Sequence, residues 1–147
     1  MPAKTDRDVA RAWVRVQQNW WAFDSVHGAC ESHPRRALRL LDAICARATT
    51  PMLVRDLGCG PLEDFVRIHA QVFIAQIEGR CAANPRFRKA LSYAWLPRAD
   101  DDVSRRLLAL GMKPIEAKIE VWQRRSRTPR DSRPRQTKPS PSLGRHG

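Results

Sequence analysis

Three prolines punctuate this chain, and each stands at the head of an apolar run with helical spacing. Pro34 follows Ser32-His33, Pro61 follows Gly60, and Pro85 follows Asn84. Proline presets a helical φ and lacks an amide hydrogen, so it suits the first turn of a helix and breaks one further in. Beyond the prolines, apolar residues recur mostly at intervals of three and four: Ala37, Leu38, Leu41, Ile44, Cys45 and Ala48; Leu62, Phe65, Val66, Val72, Phe73 and Ile77; Phe87, Leu91, Ala94 and Trp95. Each run therefore makes one face of a helix apolar. Short helices that start this often have to bury their stripes against one another. The predicted fold is all-α, a compact bundle of about five short helices in antiparallel hairpins.

The flanking segments extend the pattern. Val9, Trp13, Val16, Trp20 and Phe23 predict one helix beginning near Asp6 or Asp8, with Trp13 and Trp20 in the core. Trp21 lies roughly 100° further round that helix, which makes it a candidate partner contact. Thr49-Thr50-Pro51 reads as the stop of the second helix, and Pro97 as the stop of the fourth. Asp100, Asp101 and Asp102 then supply acidic first-turn residues for a helix carrying Val103, Leu107, Leu108 and Leu110 and ending at Gly111. From Pro114 to Gln123, Ile115, Ala117, Ile119 and Val121 alternate at period two, so strand competes with helix.

A chain of 147 residues fits a single domain. Lys plus Arg total 27 against 15 Asp plus Glu, a formal charge of +12, and the excess gathers at one end. Residues 124–147 hold eight basic residues, one acid and four prolines, with few apolar groups to offset the entropy of ordering. The expected organisation is a helical domain over 7–123 and a disordered basic Pro/Arg-rich tail over 124–147. Such a tail can bind nucleic acid non-specifically, although no helix-turn-helix, zinc-finger or RNA-binding signature accompanies it. Trp122 adjoins Arg124 and Arg125, and these three join Trp21 as candidate partner-binding residues. Neither an export signal nor an apolar run long enough for a membrane span is visible, so a cytoplasmic location without membrane attachment is expected. Cys30, Cys45, Cys59 and Cys81 contain no C-x-x-C pair and suit reduced thiols.

Asp56-Leu57-Gly58-Cys59-Gly60 imitates the glycine loop of S-adenosylmethionine methyltransferases. Leu62 replaces the third glycine, Arg55 interrupts the supposed strand, and too little chain follows for a doubly wound sheet. Gly58, Gly60 and Pro61 read instead as a structural motif that turns the chain into a helix, with Glu63 and Asp64 facing the positive end of its dipole.

Taken together, Gly58, Gly60, Pro61, Leu62, Glu63, Asp64 and His69, then Asn84, Pro85, Phe87, Arg88, Ala90, Leu91 and Trp95, resemble a bacterial family of small helical domains of unknown function. The resemblance spans roughly residues 10–97 and implies a fold type but no activity. Glu63, Asp64 and His69 are the weak catalytic candidates, since two carboxylates and an imidazole at one helix start can do acid–base work. His69, however, shares the apolar stripe of 62, 66, 73 and 77, as a hydrogen-bonded core histidine does. His27, Cys30 and His33 have ligand-like spacing, but Gly28 and Pro34 interrupt that stretch and a fourth ligand is missing. No cofactor and no metal are implied. The reading favoured by the residues is a non-catalytic module that binds another protein; the alternatives are an enzyme using Glu63, Asp64 and His69, and nucleic-acid binding through the tail.

Overall fold

Thr5 opens the first helix through a reciprocal cap. Its Oγ1 accepts from the Asp8 amide at 3.2 Å, while Asp8 Oδ2 accepts from the Thr5 amide at 3.0 Å. A computed structural model describes residues 2–15, 19–96 and 100–126. Among these residues are eight α-helices, one π-helical turn and a two-residue strand pair, which makes the fold all-α.

The single helix expected over the first stripe is two: α1, Asp6–Trp13, and α2, Trp20–Ser32. Asn19 stands between them with non-helical φ −126° and ψ 51°, and its side-chain amide donates to the Ala12 carbonyl at 3.3 Å, which also accepts from the Arg15 amide at 3.2 Å. The break corrects the tryptophan assignment. Trp13 is buried, but Trp20 is 77% exposed. Trp21 is half-buried against the core, with Lys4 Nζ 3.3 Å from its ring centroid. Val16 lies outside the described residues.

Pro34 begins α3, Pro34–Arg47. Thr49-Thr50-Pro51 ends that helix, as expected, and also starts another. Thr50 Oγ1 accepts from the Leu53 amide at 3.2 Å, and α4 runs over Pro51–Leu57. The glycine motif is therefore not a loop between a strand and a helix. It forms the π turn Gly58–Leu62, which joins α4 to the long α5, Glu63–Ala83, and Gly60 carries the kink at φ −112° and ψ −106°. Val72, placed by its sequence in the stripe of α5, is exposed because it sits one residue, about 100°, off the 62-66-73-77 line.

Asn84 Oδ1 accepts from the amides of Arg86 and Phe87 and caps α6, Pro85–Leu91. Asp101 does the same for α7, Asp102–Ala109, with its Oδ1 2.7 Å from the Ser104 amide. Gly111 leaves that helix with φ 109°, a left-handed angle that glycine adopts readily. The strands β1, Trp95–Leu96, and β2, Lys113–Pro114, pair in parallel, and α8 follows directly as Ile115–Ser126. Helix wins over strand here because a two-residue pair offers no sheet face, whereas Ile115, Ile119 and Trp122 also fit helical spacing. α8 runs past 123 to Ser126, and the rest of the basic tail, 127–147, lies outside the described residues. No described helix is long and apolar enough to cross a membrane.

The core gathers Trp13, Leu40, Leu41, Ile44, Leu57, Leu62, Phe65, Ile77, Phe87 and Leu91, so every helix from α1 to α6 except α2 contributes a large, fully buried side chain; α2 supplies Ala22, Val26, Ala29 and Cys30. At the rim of this core, Arg80 on α5 grips Asp42 on α3 with three nitrogen–oxygen contacts of 2.9 to 3.0 Å.

The tightest approach in the fold is at Gly58. A Cβ there would lie 1.9 Å from the Ala90 carbonyl oxygen and 2.8 Å from its carbon, so the backbone of α6 rests directly on the π turn. Gly58→Ala is expected to cost about 2–4 kcal/mol in denaturant unfolding, because backbone has to move to admit a methyl group. Gly79→Ala, in an open stretch of α5 where a Cβ meets nothing within 4 Å, is expected to stabilise the chain by about 0.5–1 kcal/mol.

Candidate functional site

The residues of the glycine–proline–acid motif are each tied to a different part of the fold. Gly58 admits α6. The Pro61 carbonyl accepts a hydrogen bond from Cys30 Sγ on α2 at 3.5 Å. Leu62 is fully buried. Glu63 Oε2 accepts from the Trp95 amide at 3.0 Å and so holds β1 against the start of α5. Asp64 pairs with Arg67 Nη2 at 2.9 Å and stands 3.6 Å from His27 Nδ1 on α2. A Cβ at Gly60 would meet nothing within 4 Å, so close packing is not what places glycine there.

His69 completes the trio that acid–base chemistry needs, but its ring is turned to a structural task. Its Nε2 lies 2.6 Å from the Cys30 carbonyl, and its ring packs between Phe65 and Phe73, with centroids 5.1 and 6.2 Å away. The residue four positions after Cys30 is Pro34, which has no amide hydrogen to offer that carbonyl. A carbonyl can only accept, so the His69 ring carries its hydrogen on Nε2 and supplies the missing donor. Glu63, Asp64 and His69 thus face β1, α2 and the end of α2 respectively, each with its own partner.

The His27, Cys30 and His33 spacing disperses as well. His27 is exposed and pairs with Glu31 at 3.1 Å, Cys30 is buried, and His33 forms the junction between α2 and α3. Among the described residues, no group of three or more His, Cys, Asp and Glu is placed to hold a metal ion. All four cysteines are free, with Cys59 exposed and the others buried. Burial pushes the Cys30 thiol up to about 12, helped by Asp64 and Glu31, and raises Cys81 to about 11. These thiols are packing groups, since the reactive form is the thiolate.

Arg86, just beyond the Asn84-Pro85 step, donates from Nη1 to the carbonyls of Cys45 and Ala46 at 3.0 and 3.3 Å. It caps the end of α3 from another helix.

Of the recesses among the described residues, two hold an indole ring largely open to solvent. One, of about 420 Å³, lies between α2 and the α4–α5 corner; Trp20 and Phe23 form its aromatic side, and Asp56 and Asp64 stand at its rim. The other, of about 620 Å³, is bounded by Trp95, Lys113, Ile119, Val121, Trp122 and Arg125, where α8 leaves the body. Trp122 and Arg125 are legible in the sequence as candidates, whereas Trp20 has the helical spacing of a core position, and Trp95 and Lys113 are brought together only by the strand pair. Arg124 is exposed on α8 next to this second recess but does not line it.

Residues 11–115 match a family of unknown function, DUF6869. The chain belongs to that family. No curated protein and no solved structure matches it. The DUF6869 match takes in the glycine–proline–acid motif, Asn84-Pro85-Arg86 and the whole 420 Å³ recess, and it ends where α8 begins.

Two outcomes are expected from this arrangement. At pH 8 an alkylating reagent should modify Cys59 first, and more slowly than a free thiol because partial burial and the nearby Asp56 raise its pKa, while Cys30, Cys45 and Cys81 react only after denaturant is added; peptide mass mapping reads this. His69→Leu keeps apolar bulk but strands the Cys30 carbonyl, and should lower unfolding free energy by about 1–3 kcal/mol in urea titration.

Proposed function

We propose that the chain is a non-catalytic protein-interaction module that holds its partner with α8 and the adjoining β1–β2 pair. The observation that carries this reading is the exposure of Ile119, Val121 and Trp122, at 49%, 48% and 69%, on a helix whose main packing is against two short strands. Large apolar side chains left open beside a recess are the usual anchors of a partner surface. Lys113, Arg124 and Arg125 outnumber Glu116 and Glu120 around them, which favours an acidic partner segment and speeds its encounter. The engagement of Glu63, Asp64 and His69 in three separate structural contacts supports a non-catalytic role.

One observation favours a second reading. Lys113 Nζ lies 5.9 Å from the Trp95 ring centroid, and Trp122 and Arg125 line the same recess, so aromatic and basic groups alternate there as they do on surfaces that stack single-stranded bases. The two readings separate in one set of measurements on the full chain. A purified acidic partner, recovered by affinity capture, should bind Ile119→Ser/Trp122→Ala at least about tenfold more weakly than the parent in calorimetry. Unlabelled single-stranded DNA should compete poorly for the same surface. Equal binding of the partner by the double variant sinks the α8 assignment, and tight, salt-sensitive DNA binding that Trp122→Ala removes transfers the site to nucleic acid.

A further inference from the structure

The 420 Å³ recess has a chemistry unlike the rest of this chain. Its floor is an aromatic row: Trp13, buried at the end of α1, packs on Phe23 with centroids 5.5 Å apart, and Phe23 packs on Trp20 at 6.0 Å. Trp20 ends that row with its ring largely in solvent. Around the row stand three carboxylates from three elements: Asp24 on α2, Asp56 at the end of α4 and Asp64 in the first turn of α5. Among the described residues, no lysine or arginine lines the recess, although the chain carries a formal +12.

The basic groups that touch these acids come from outside the recess, and their hold is weak. Arg55 stands 3.7 Å from Asp56 and Arg67 2.9 Å from Asp64, with both arginines more than half exposed. Such exposed pairs contribute little and exchange readily. Asp24 is exposed and makes no ion pair among the described residues. Among the described lining residues, His27 alone can take a positive charge, and it is shared between Glu31 and Asp64.

An indole face open to solvent attracts a cation, and carboxylates from separate elements accept its hydrogens. Arginine meets both demands at once, since its guanidinium is planar, stacks on aromatic rings and forks onto carboxylates. We infer that this recess is a receptor for an arginine side chain presented by a basic segment of a partner protein, with the guanidinium stacked on Trp20 and held by Asp24 and Asp56 or Asp64. Charge complementarity selects the occupant: three carboxylates and an exposed indole attract a cationic group, and no lysine or arginine among the described lining residues competes for them. Nothing in this inference depends on α8.

The test uses the full chain and a short acetylated, amidated peptide of alternating glycine and arginine, with the same peptide carrying uncharged citrulline as its control. Tryptophan fluorescence and calorimetry should show saturable binding of the arginine peptide and at least about tenfold weaker binding of the citrulline peptide. Trp20→Ala and Asp24→Asn should each weaken the arginine peptide several-fold. Trp20→Ala should leave the melting temperature unchanged, because that ring is largely solvent-exposed, and Trp122→Ala should leave the affinity unchanged. The inference is overturned if the arginine peptide fails to saturate at millimolar concentration, if citrulline binds equally, or if Trp20→Ala binds as the parent does. Free arginine matching the peptide in affinity would replace the protein segment with a small-molecule ligand and overturn that assignment too.

Discussion

The contact between Gly58 and the Ala90 backbone is the constraint on which the remaining geometry depends. With no side chain at position 58, α6 lies against the π turn, and the turn then delivers Pro61, Leu62, Glu63 and Asp64 in fixed directions. Glu63 reaches the Trp95 amide, so the position of β1, and through β2 the root of α8, is referenced to the same turn. On the other side, the Pro61 carbonyl takes the Cys30 thiol and Asp64 faces His27, which sets α2 and the aromatic row against the acids. Both recesses are thus built outward from one close approach. A methyl group at that point separates the elements that define them.

A second feature runs through the molecule: helix ends are completed by side chains from distant elements. His69 serves the Cys30 carbonyl, and Arg86 serves those of Cys45 and Ala46. Short helices make this necessary, because each end leaves several amide or carbonyl groups without intrahelical partners. Left unpaired away from water, such a group costs more than a typical hydrogen bond contributes. This explains why polar residues with a catalytic look in the sequence are occupied elsewhere. A histidine near two acids is equally what a chain of many short helices needs for capping.

Much of the architecture was legible in the residues. The starts at Pro34 and Pro85, the acidic start of α7 and its end at Gly111 follow from capping chemistry that acts within one turn, and the apolar stripes of α3 and α5 follow from their spacing. The errors have equally local causes. Trp20 fits the stripe of α1, but α1 ends at Trp13 and a separate helix starts at Trp20, so spacing across the break carries no information about burial. Thr50-Pro51 signals a start as strongly as a stop, and the expected stop of α3 is also the start of α4. At residues 115–126 the apolar pattern fits two periods, and the absence of a sheet face beside the two-residue strand pair decided between them.

The sequence by itself determined a family of unknown function, an all-α fold and most helix starts, because caps, prolines and periodicity are interactions among near neighbours. Tertiary structure alone decided why position 58 has to be glycine, which tryptophans meet solvent, and which charges share a recess with them. Those outcomes depend on side chains contributed by several elements at once. Their mutual placement follows from how the helices pack, and no spacing along the chain encodes it directly.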